Sequence, residues 1–523
     1  MTRNLENQKD WPDEIDNNGE ADENSKTGEA DENSKTGEAD ETQEKKDKTD
    51  GQRLADHLGY KAKNSWDCAD TKERERIFDF AESYKRFLDR AKTEREFVVA
   101  CVAELEADGY YNLDDCLSAG KMLSAGMKVY QNIKGKSLVL AVIGTDRVSD
   151  GVNILGAHVD SPRLDLKTNP LYEDEAYAML DTQYYGGIKK YQWVTIPLAL
   201  HGVIMKENGE KVTVRIGEEE SDPVFVITDL LPHLAAKQME KKAADVISGE
   251  GLNVLAGSIP YPDEAVEERV KLAFLKLLND KYGVVEEDFS AAELEIVPAF
   301  RAKDIGLDRS MIGAYGQDDR CCSYAAVRAV MEIGKTVTPR RTAVCLLTDK
   351  EEIGSVGNTG AESRLFENFI ACLCAASDGH YGDIMLRQCL AHSHMLSIDV
   401  KLAIDPNFTE VHDKKTSAHL GNGVVLTKYT GGNGKGGGSD ANAEYVNLIR
   451  TIFNRNNIAW QYGGRGIVDV GGGGTIAKYI ASLGVEVLDV GIPILSMHAP
   501  FEVISKIDLY TAYRGYMVFL QNA

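Results

Sequence analysis

Apolar residues recur at helical intervals between about residues 72 and 107: Phe78, Phe80, Tyr84, Phe87 and Leu88, then Phe97, Val98, Cys101, Val102 and Leu105. That spacing lays an apolar stripe along a helix and predicts a helical start to the folded part. Two β-like runs follow, SLVLAVIGTD (137–146) and GVNILGAHVDS (151–161). From 166 to 300 the texture changes. An acidic loop, the β-like runs KVTVRIG and PVFVITDLLPHL, and the amphipathic helix DEAVEERVKLAFLKLLNDKYG read as a second domain inserted into the first. Beyond 300, the strand candidates RRTAVCLLTD, MLSIDVKLAID and VEVLDVGIPILSMHA alternate with helical stretches. That alternation argues for an α/β sheet with helices on its faces.

The first 50 residues have no such pattern. GEADENSKT occurs at 19–27 and 28–36 and begins again at 37. Residues 1–50 hold 17 acidic and 7 basic side chains, a net charge of 7 − 17 = −10. A polar repeat with no apolar stripe cannot offset its ordering entropy, so a disordered acidic tail is expected at 1–50. The folded chain is then expected as a catalytic domain in two parts, 51–165 and 301–523, around the insert at 166–300. Over all 523 residues the net charge is −24, which argues against a nucleic-acid partner. No apolar run reaches the roughly 18 residues of a membrane span, and the first residues, MTRNLENQKDWPDE, lack the apolar core of a signal peptide. No membrane partner is expected. Nine cysteines without a CxxC read as reduced thiols, and the expected compartment is cytoplasmic.

Candidate chemistry sits where strands end. His158 ends a strand in LGAHVDSP, and Asp318 opens the helical run of YGQDDRCCSYAAVRAVMEIG. Glu351 and Glu352 leave the strand of RRTAVCLLTD side by side, Asp399 lies late in MLSIDVKL, and His498 follows VEVLDVGIPILS. In an open α/β sheet the carboxyl ends of strands form the site, so residues far apart in sequence can meet there. Imidazoles and carboxylates together are the mixed ligand set that zinc, cobalt or manganese accepts. Adjacent residues on an extended segment point opposite ways, so one glutamate could bind metal while its neighbour reaches the attacking water. Asp160, two residues after His158, could orient that imidazole.

Each piece alone has an ordinary explanation. An Asp before a helix is commonly an N-cap, a Glu pair near a turn is commonly a solvated face, and an isolated buried His is commonly hydrogen-bonded core. The glycine run VDVGGGGTIAKYIASLG (468–484) lacks the Lys-Ser/Thr of a P-loop and reads as tight strand-to-helix packing. His380, His392, His394, His412 and His419 read as structural or surface residues, and the Gly-rich 431–440 segment as a mobile loop near the pocket.

The motifs GAHVDSPRLDLK, DKEEIGS, SIDVKLAIDPNF and SMHAP follow one another in order, behind FLDRAKTERE. With them the chain, from about residue 77 onward, resembles the aspartyl aminopeptidase / aminopeptidase I family of dinuclear metallopeptidases. The resemblance implies a mixed-sheet α/β/α metallopeptidase domain with an inserted β-rich dimerisation domain. It implies a metal-dependent aminopeptidase that removes N-terminal residues from peptide substrates. Two divalent ions per subunit are implied, zinc with cobalt or manganese as alternatives, sharing Asp318. One would also take His158 and Asp399, the other Glu352 and His498, with Glu351 as general base. A dimer-based homo-oligomer, a tetrahedral dodecamer, is implied as well.

LPHLAAK resembles a family element whose histidine enters the neighbouring subunit's site, which makes His233 a catalytic and substrate-contacting candidate in trans. Lys428, in VVLTKYTGG, matches the substrate lysine of the acid-specific branch. This sequence departs from that branch at Leu402, where the branch has a substrate-contacting histidine, and in GGNGKGGGSDANAEY, where the branch has a tyrosine-bearing segment. GQDDR at 316–320 stands where it has Asp-Asn, which makes Asp319 a rival to Asp318. The preferred N-terminal residue therefore stays open. Two further readings stand beside the aminopeptidase. One is a catalytically inactive self-assembling scaffold or cargo-binding protein of the same fold, against which the intact Glu-Glu pair and both histidines count. The other is a related metal-dependent deacylase or carboxypeptidase.

Overall fold

The computed structural model describes residues 48–464, 466–467 and 472–523; the acidic repeat tail up to residue 47 and positions 468–471 of the glycine run lie outside the described residues. Residues 48–60 carry a helix of their own, Asp50–Leu58, capped by Thr49 and Gln52 and with no buried residue. Residues 61–523 form one compact unit.

The apolar stripe of 72–107 forms two helices, Thr71–Leu88 and Glu94–Ala107. The break lies where Thr93 starts a fresh helix. Its hydroxyl accepts the Glu96 N–H at 3.2 Å, and the Glu96 carboxylate accepts the Thr93 N–H at 3.3 Å. Both stripes are buried, with Phe87 edge-on to Phe97 at 5.0 Å and Tyr84 against Tyr324 at 5.2 Å.

The largest sheet has nine strands among the described residues, in the order Tyr111–Asn112, Lys128–Ile133, Ser137–Val142, Ala343–Thr348, Asn153–His158, His394–Ser397, Glu486–Gly491, Val424–Thr427 and Trp460–Tyr462. Three of its inner strands, Ser137–Val142, Asn153–His158 and Ala343–Thr348, are buried at every position. Core packs on both faces, so these strands read as continuous apolar runs with no alternation. Four neighbours, 343–348, 153–158, 394–397 and 486–491, run parallel and end at one edge. Thr348 lies opposite His158 and Ser397 opposite Gly156, so Asp399, two residues beyond Ser397, comes level with His158.

A sheet of five strands among the described residues supplies the remaining side of that edge. It pairs Met311–Ala314 with Glu502–Ser505, Ala314 opposite Glu502. The start of the helix Gln317–Thr336 is thereby brought against the turn that carries His498.

A third, antiparallel sheet of six strands among the described residues draws all of them from residues 163–298. KVTVRIG supplies its strand Lys211–Ile216. PVFVITDLLPHL supplies none: Phe225 and Val226 make single bridges to Leu198 and Leu255, and residues 228–234 run exposed. Phe225 and Ile227 are buried, but the pairing stops at one bridge on each side, and a proline stands near each end. The amphipathic helix begins only at Arg269, after an acidic stretch, and ends at Gly283 in the left-handed conformation that glycine adopts without strain. Among the described residues no helix is long and apolar enough to cross a membrane.

Candidate metal centre

Asp318 stands between two imidazoles. Its Oδ1 is 3.2 Å from His158 Nε2 and its Oδ2 is 3.3 Å from His498 Nε2. Asp399 Oδ1 lies 3.8 Å from His158 Nε2, and Glu352 Oε2 lies 3.5 Å from His498 Nε2. The donors form two groups that share Asp318: His158–Asp318–Asp399 and Asp318–Glu352–His498, each with its ligand atoms within 4.8 Å of one another. Glu351 joins His158 and Glu352 in a third group of the same span.

The backbone builds this cluster from several directions. His158 is the last residue of its strand. Asp399 sits in the break between His394–Ser397 and Lys401–Leu402. The glutamate pair is not on an extended segment: Lys350 takes a left-handed φ of 68° and Glu351–Ile353 form one 3-10 turn. The turn, and not strand alternation, separates the two carboxylates. Asp160 holds that turn. Its Oδ1 accepts the N–H of Glu351 and its Oδ2 that of Glu352, both at 3.1 Å. His158 Nδ1 pairs with the Asp160 main-chain carbonyl at 3.1 Å, with Asp160 Oδ1 3.3 Å away, so Asp160 orients the imidazole and the glutamate turn together. Ser161 and Ser323 hydroxyls donate to the carbonyls of Asp318 and His158, each at 2.6 Å.

Electrostatics follow from packing five carboxylates, those of Asp160, Asp318, Glu351, Glu352 and Asp399, into one recess. Burial works against a charged His498, but Asp318 and Glu352 hold its pKa up at about 11. His158 is raised in the same way: burial works against it, and Asp160, Asp318 and Asp399 outweigh burial. Burial pushes Asp318 up, yet His158 and His498 hold it well below the usual carboxylate range. Burial lifts Glu351 to about 7, with Asp399, Asp160 and Asp318 adding and His158 opposing. Burial and the neighbouring Asp318 raise Glu352 well above its ordinary value. Protons on the imidazoles and on the raised glutamates offset the crowded carboxylates here, and a divalent cation would replace that positive charge. Asp318 Oδ1 is buried without a hydrogen-bond partner. The mixed nitrogen and oxygen donor set fits a divalent metal.

Asp319 faces elsewhere. It is grouped with Cys321 and Cys322, both its carboxylate oxygens are buried without a hydrogen-bond partner, and burial raises it well above the usual range. Asp318 is thus the one of the two that faces both imidazoles. Two further candidates stand outside the cluster. His233 lies on an exposed 3-10 turn, Pro232–Leu234. Lys428 lies just past the strand Val424–Thr427, pairs with Asp440 at 3.2 Å, and lines a cavity of about 760 Å³ with Arg450, Trp460 and Tyr462. The Gly-rich 431–440 segment after it is a hairpin, bridged at Tyr429–Asp440 and Gly432–Gly436.

The sequence reading missed one carboxylate. Buried Glu502 accepts the N–H of Asp318 at 3.1 Å and that of His498 at 2.8 Å. The only signal for it in the chain is its place four residues after His498.

Two donor groups sharing one carboxylate, at the carboxyl edge of a mixed α/β sheet, are an arrangement that two-metal hydrolases use. The profile of the aminopeptidase I zinc metalloprotease family, M18, matches residues 87–520, and the chain belongs to that family. It is a metal-dependent aminopeptidase. An M18 family aminopeptidase 1 of Clostridium acetobutylicum is 50% identical over 460 residues, covering 88% of this chain and 98% of the relative. The crystal structure of an M18 aminopeptidase from Thermotoga maritima matches with a TM-score of 0.84 at 41% identity, over 89% of this chain and 100% of that one. The S. cerevisiae mApe1 dodecamer shares the fold, with a TM-score of 0.68 at 22% identity, over 84% of this chain and 96% of that one.

Proposed function

We propose that this aminopeptidase removes N-terminal residues with two divalent cations per subunit, zinc with cobalt or manganese as alternatives. His158, Asp399 and Asp318 would hold one; His498, Glu352 and the same Asp318 would hold the other. The observation that carries this reading is that the two oxygens of Asp318 face different imidazoles, at 3.2 and 3.3 Å. Bound there, the cations supply positive charge that polarises the scissile carbonyl and makes an attacking water acidic enough to ionise near neutral pH. Glu351 is the general base: its carboxylate takes the proton of that water and returns it to the leaving amine. Burial supports this role, since it lifts Glu351 to about 7, close to an operating pH. Asp160 is the residue that keeps His158 Nε2 turned toward Asp318 and Asp399.

The reading extends to residues outside the cluster. His233 contacts substrate in a neighbouring subunit, and Lys428 contacts it within its own. Residues 166–300 act as the inserted dimerisation domain between catalytic parts 51–165 and 301–523, in a dimer-based homo-oligomer that closes as a tetrahedral dodecamer. Support comes from the six-stranded sheet drawn from 163–298 and from exposed Leu230, Leu231, Leu234 and Met239 around His233. The described assembly of the S. cerevisiae structure supports it too. The proposed compartment is the cytoplasm, in keeping with nine free cysteines.

A panel of aminoacyl-nitroanilides with acidic, basic and apolar side chains, run with and without chelator, tests the reading and reads out the preferred residue. Turnover lost to chelator and restored by zinc is expected. Bound metal without aminoacyl turnover would overturn it in favour of a deacylase or carboxypeptidase.

A further inference from the structure

Three consecutive residues at the end of one strand of the six-stranded sheet touch the metal centre in three different ways. The strand is Tyr177–Tyr185, and the residues are Tyr185, Gly186 and Gly187. The Tyr185 hydroxyl donates to Asp160 Oδ2 at 2.9 Å, the same oxygen that accepts the Glu352 N–H. Gly186 has φ +75°, and a Cβ there would lie 3.3 Å from Glu352 Cβ and 3.4 Å from its Oε2. A side chain at that position would be strained by its backbone and would press on Glu352. The Gly187 carbonyl accepts from His498 Nδ1 at 2.9 Å. That bond puts the ring proton on Nδ1 and leaves Nε2 directed at Asp318 and Glu352.

The strand end is itself held firmly. Tyr185 pairs with Arg163 in the antiparallel register, and the Arg163 guanidinium lies 4.1 Å from the centre of the Tyr185 ring. Arg163 is buried among Asp165 at 2.8 Å and Glu94 and Glu295, each at 3.3 Å. The ring is therefore fixed by packing and charge, and the hydroxyl is aimed by the ring. Gly186 and Gly187 then carry the chain past Glu352 and His498 with no side chain in the way.

We propose that Tyr185-Gly186-Gly187 is a strap by which the six-stranded sheet positions the glutamate turn and His498, with Tyr185 as a positioning residue for the reaction. Its hydroxyl restrains the Asp160 carboxylate, and Asp160 restrains the backbone of Glu351 and Glu352. Without that hydroxyl, Asp160 keeps its other partners but gains freedom to rotate, and the base loses its fixed distance from the attacking water. The inference rests on the roles given to Glu351, Glu352 and His498 under the proposed function.

Tyr185→Phe tests it in the full-length, zinc-loaded enzyme, because the ring and its packing on Arg163 stay while the single hydrogen bond goes. Three quantities are read: kcat and KM on an aminoacyl-nitroanilide, the rate of zinc loss to a chelator, and the melting temperature. Removing a partner that orients metal ligands typically costs about 10- to 100-fold in activity or metal affinity. The expected result is a kcat loss in that range or a zinc loss faster by the same factor, with KM and melting temperature unchanged. Wild-type kcat together with wild-type zinc retention overturns the proposal. So does a kcat loss that comes only with a matching fall in melting temperature, since that is lost packing. A wild-type enzyme indifferent to chelator would instead sink the metal reading itself, so the two failures are told apart.

Discussion

The backbone N–H of Asp318 is held by the carboxylate of Glu502, 184 residues further along the chain, at 3.1 Å. The other oxygen of Glu502 takes the His498 N–H at 2.8 Å. One buried side chain thus fixes the approach of the shared aspartate to one of its two imidazoles. Burial and the neighbouring Asp318 lift Glu502 to about 8. Glu502→Gln would turn an amide N–H₂ toward a backbone N–H. A buried donor left without an acceptor costs about 1–3 kcal/mol. Metal affinity should fall about 10- to 100-fold, read by chelator competition. Unchanged affinity would mean that the turn is held by other contacts.

Under the proposed function Glu351 and Glu352 have different roles, and the two amide variants should separate cleanly. Glu351→Gln removes the proton acceptor while leaving both Asp318-sharing groups intact. Its kcat should drop about 10²- to 10⁴-fold with metal content unchanged, as measured by elemental analysis of the purified enzyme. Glu352→Gln removes a donor from the His498 group and should lower the metal content itself. Near-normal turnover in Glu351→Gln would move the base elsewhere.

Metal uptake should be coupled to proton release. Burial favours neutral imidazoles, yet Asp318 and Glu352 hold His498 up at about 11, and carboxylates likewise raise His158. Both rings are therefore charged at neutral pH in the metal-free protein, and their protons must leave when they become ligands. The sign follows: affinity for zinc rises with pH, each imidazole gives up its proton as the site pair fills, and the proton of the raised Glu352 adds to the count near pH 7. The same shift makes metal-free stability run the other way. His498 contributes stability that is fully present below about 6.5, the usual value in an unfolded chain, and is lost as pH rises through about 11. Calorimetric titration with zinc in two buffers of different ionisation enthalpy counts the protons; a count of zero would refute the coupling.

The members of the cluster could be picked out in the sequence because each closes an apolar run or opens a helix, and parallel strands end together. His158, Glu352 and Asp399 needed only the strand ends to be located. The geometry of the glutamate turn was not readable, because it depends on a left-handed Lys350, a conformation that no lysine advertises. Glu502 drew no notice in the sequence; its contacts arise from the pairing of Ala314 with Glu502, which no local pattern encodes. Nothing local marked Tyr185, since its hydroxyl partner lies 25 residues away. PVFVITDLLPHL had the composition of a strand and lacked a neighbour to pair with beyond single bridges. Composition marks which segments can be strands or site ends, and tertiary register decides which side chains then meet.

His233 offers the sharpest test of a site completed by a second copy. It is exposed on its own chain, between exposed Leu231 and Leu234, and belongs to none of the potential metal-binding groups among the described residues. His233→Ala should therefore keep its metal and its melting temperature. If the imidazole donates to the developing oxyanion, its loss should cost about 10²- to 10³-fold in kcat. Mixing distinguishes the two geometries. In a subunit pair that combines His233→Ala with Glu351→Gln, a histidine acting across the interface reaches the neighbour that still has its base, and one of the two sites is complete. Random reassembly of equal amounts makes half of the pairs mixed, so activity should return to about one quarter of wild type. If His233 acts within its own chain, every site in the mixture lacks either base or histidine, and no activity returns.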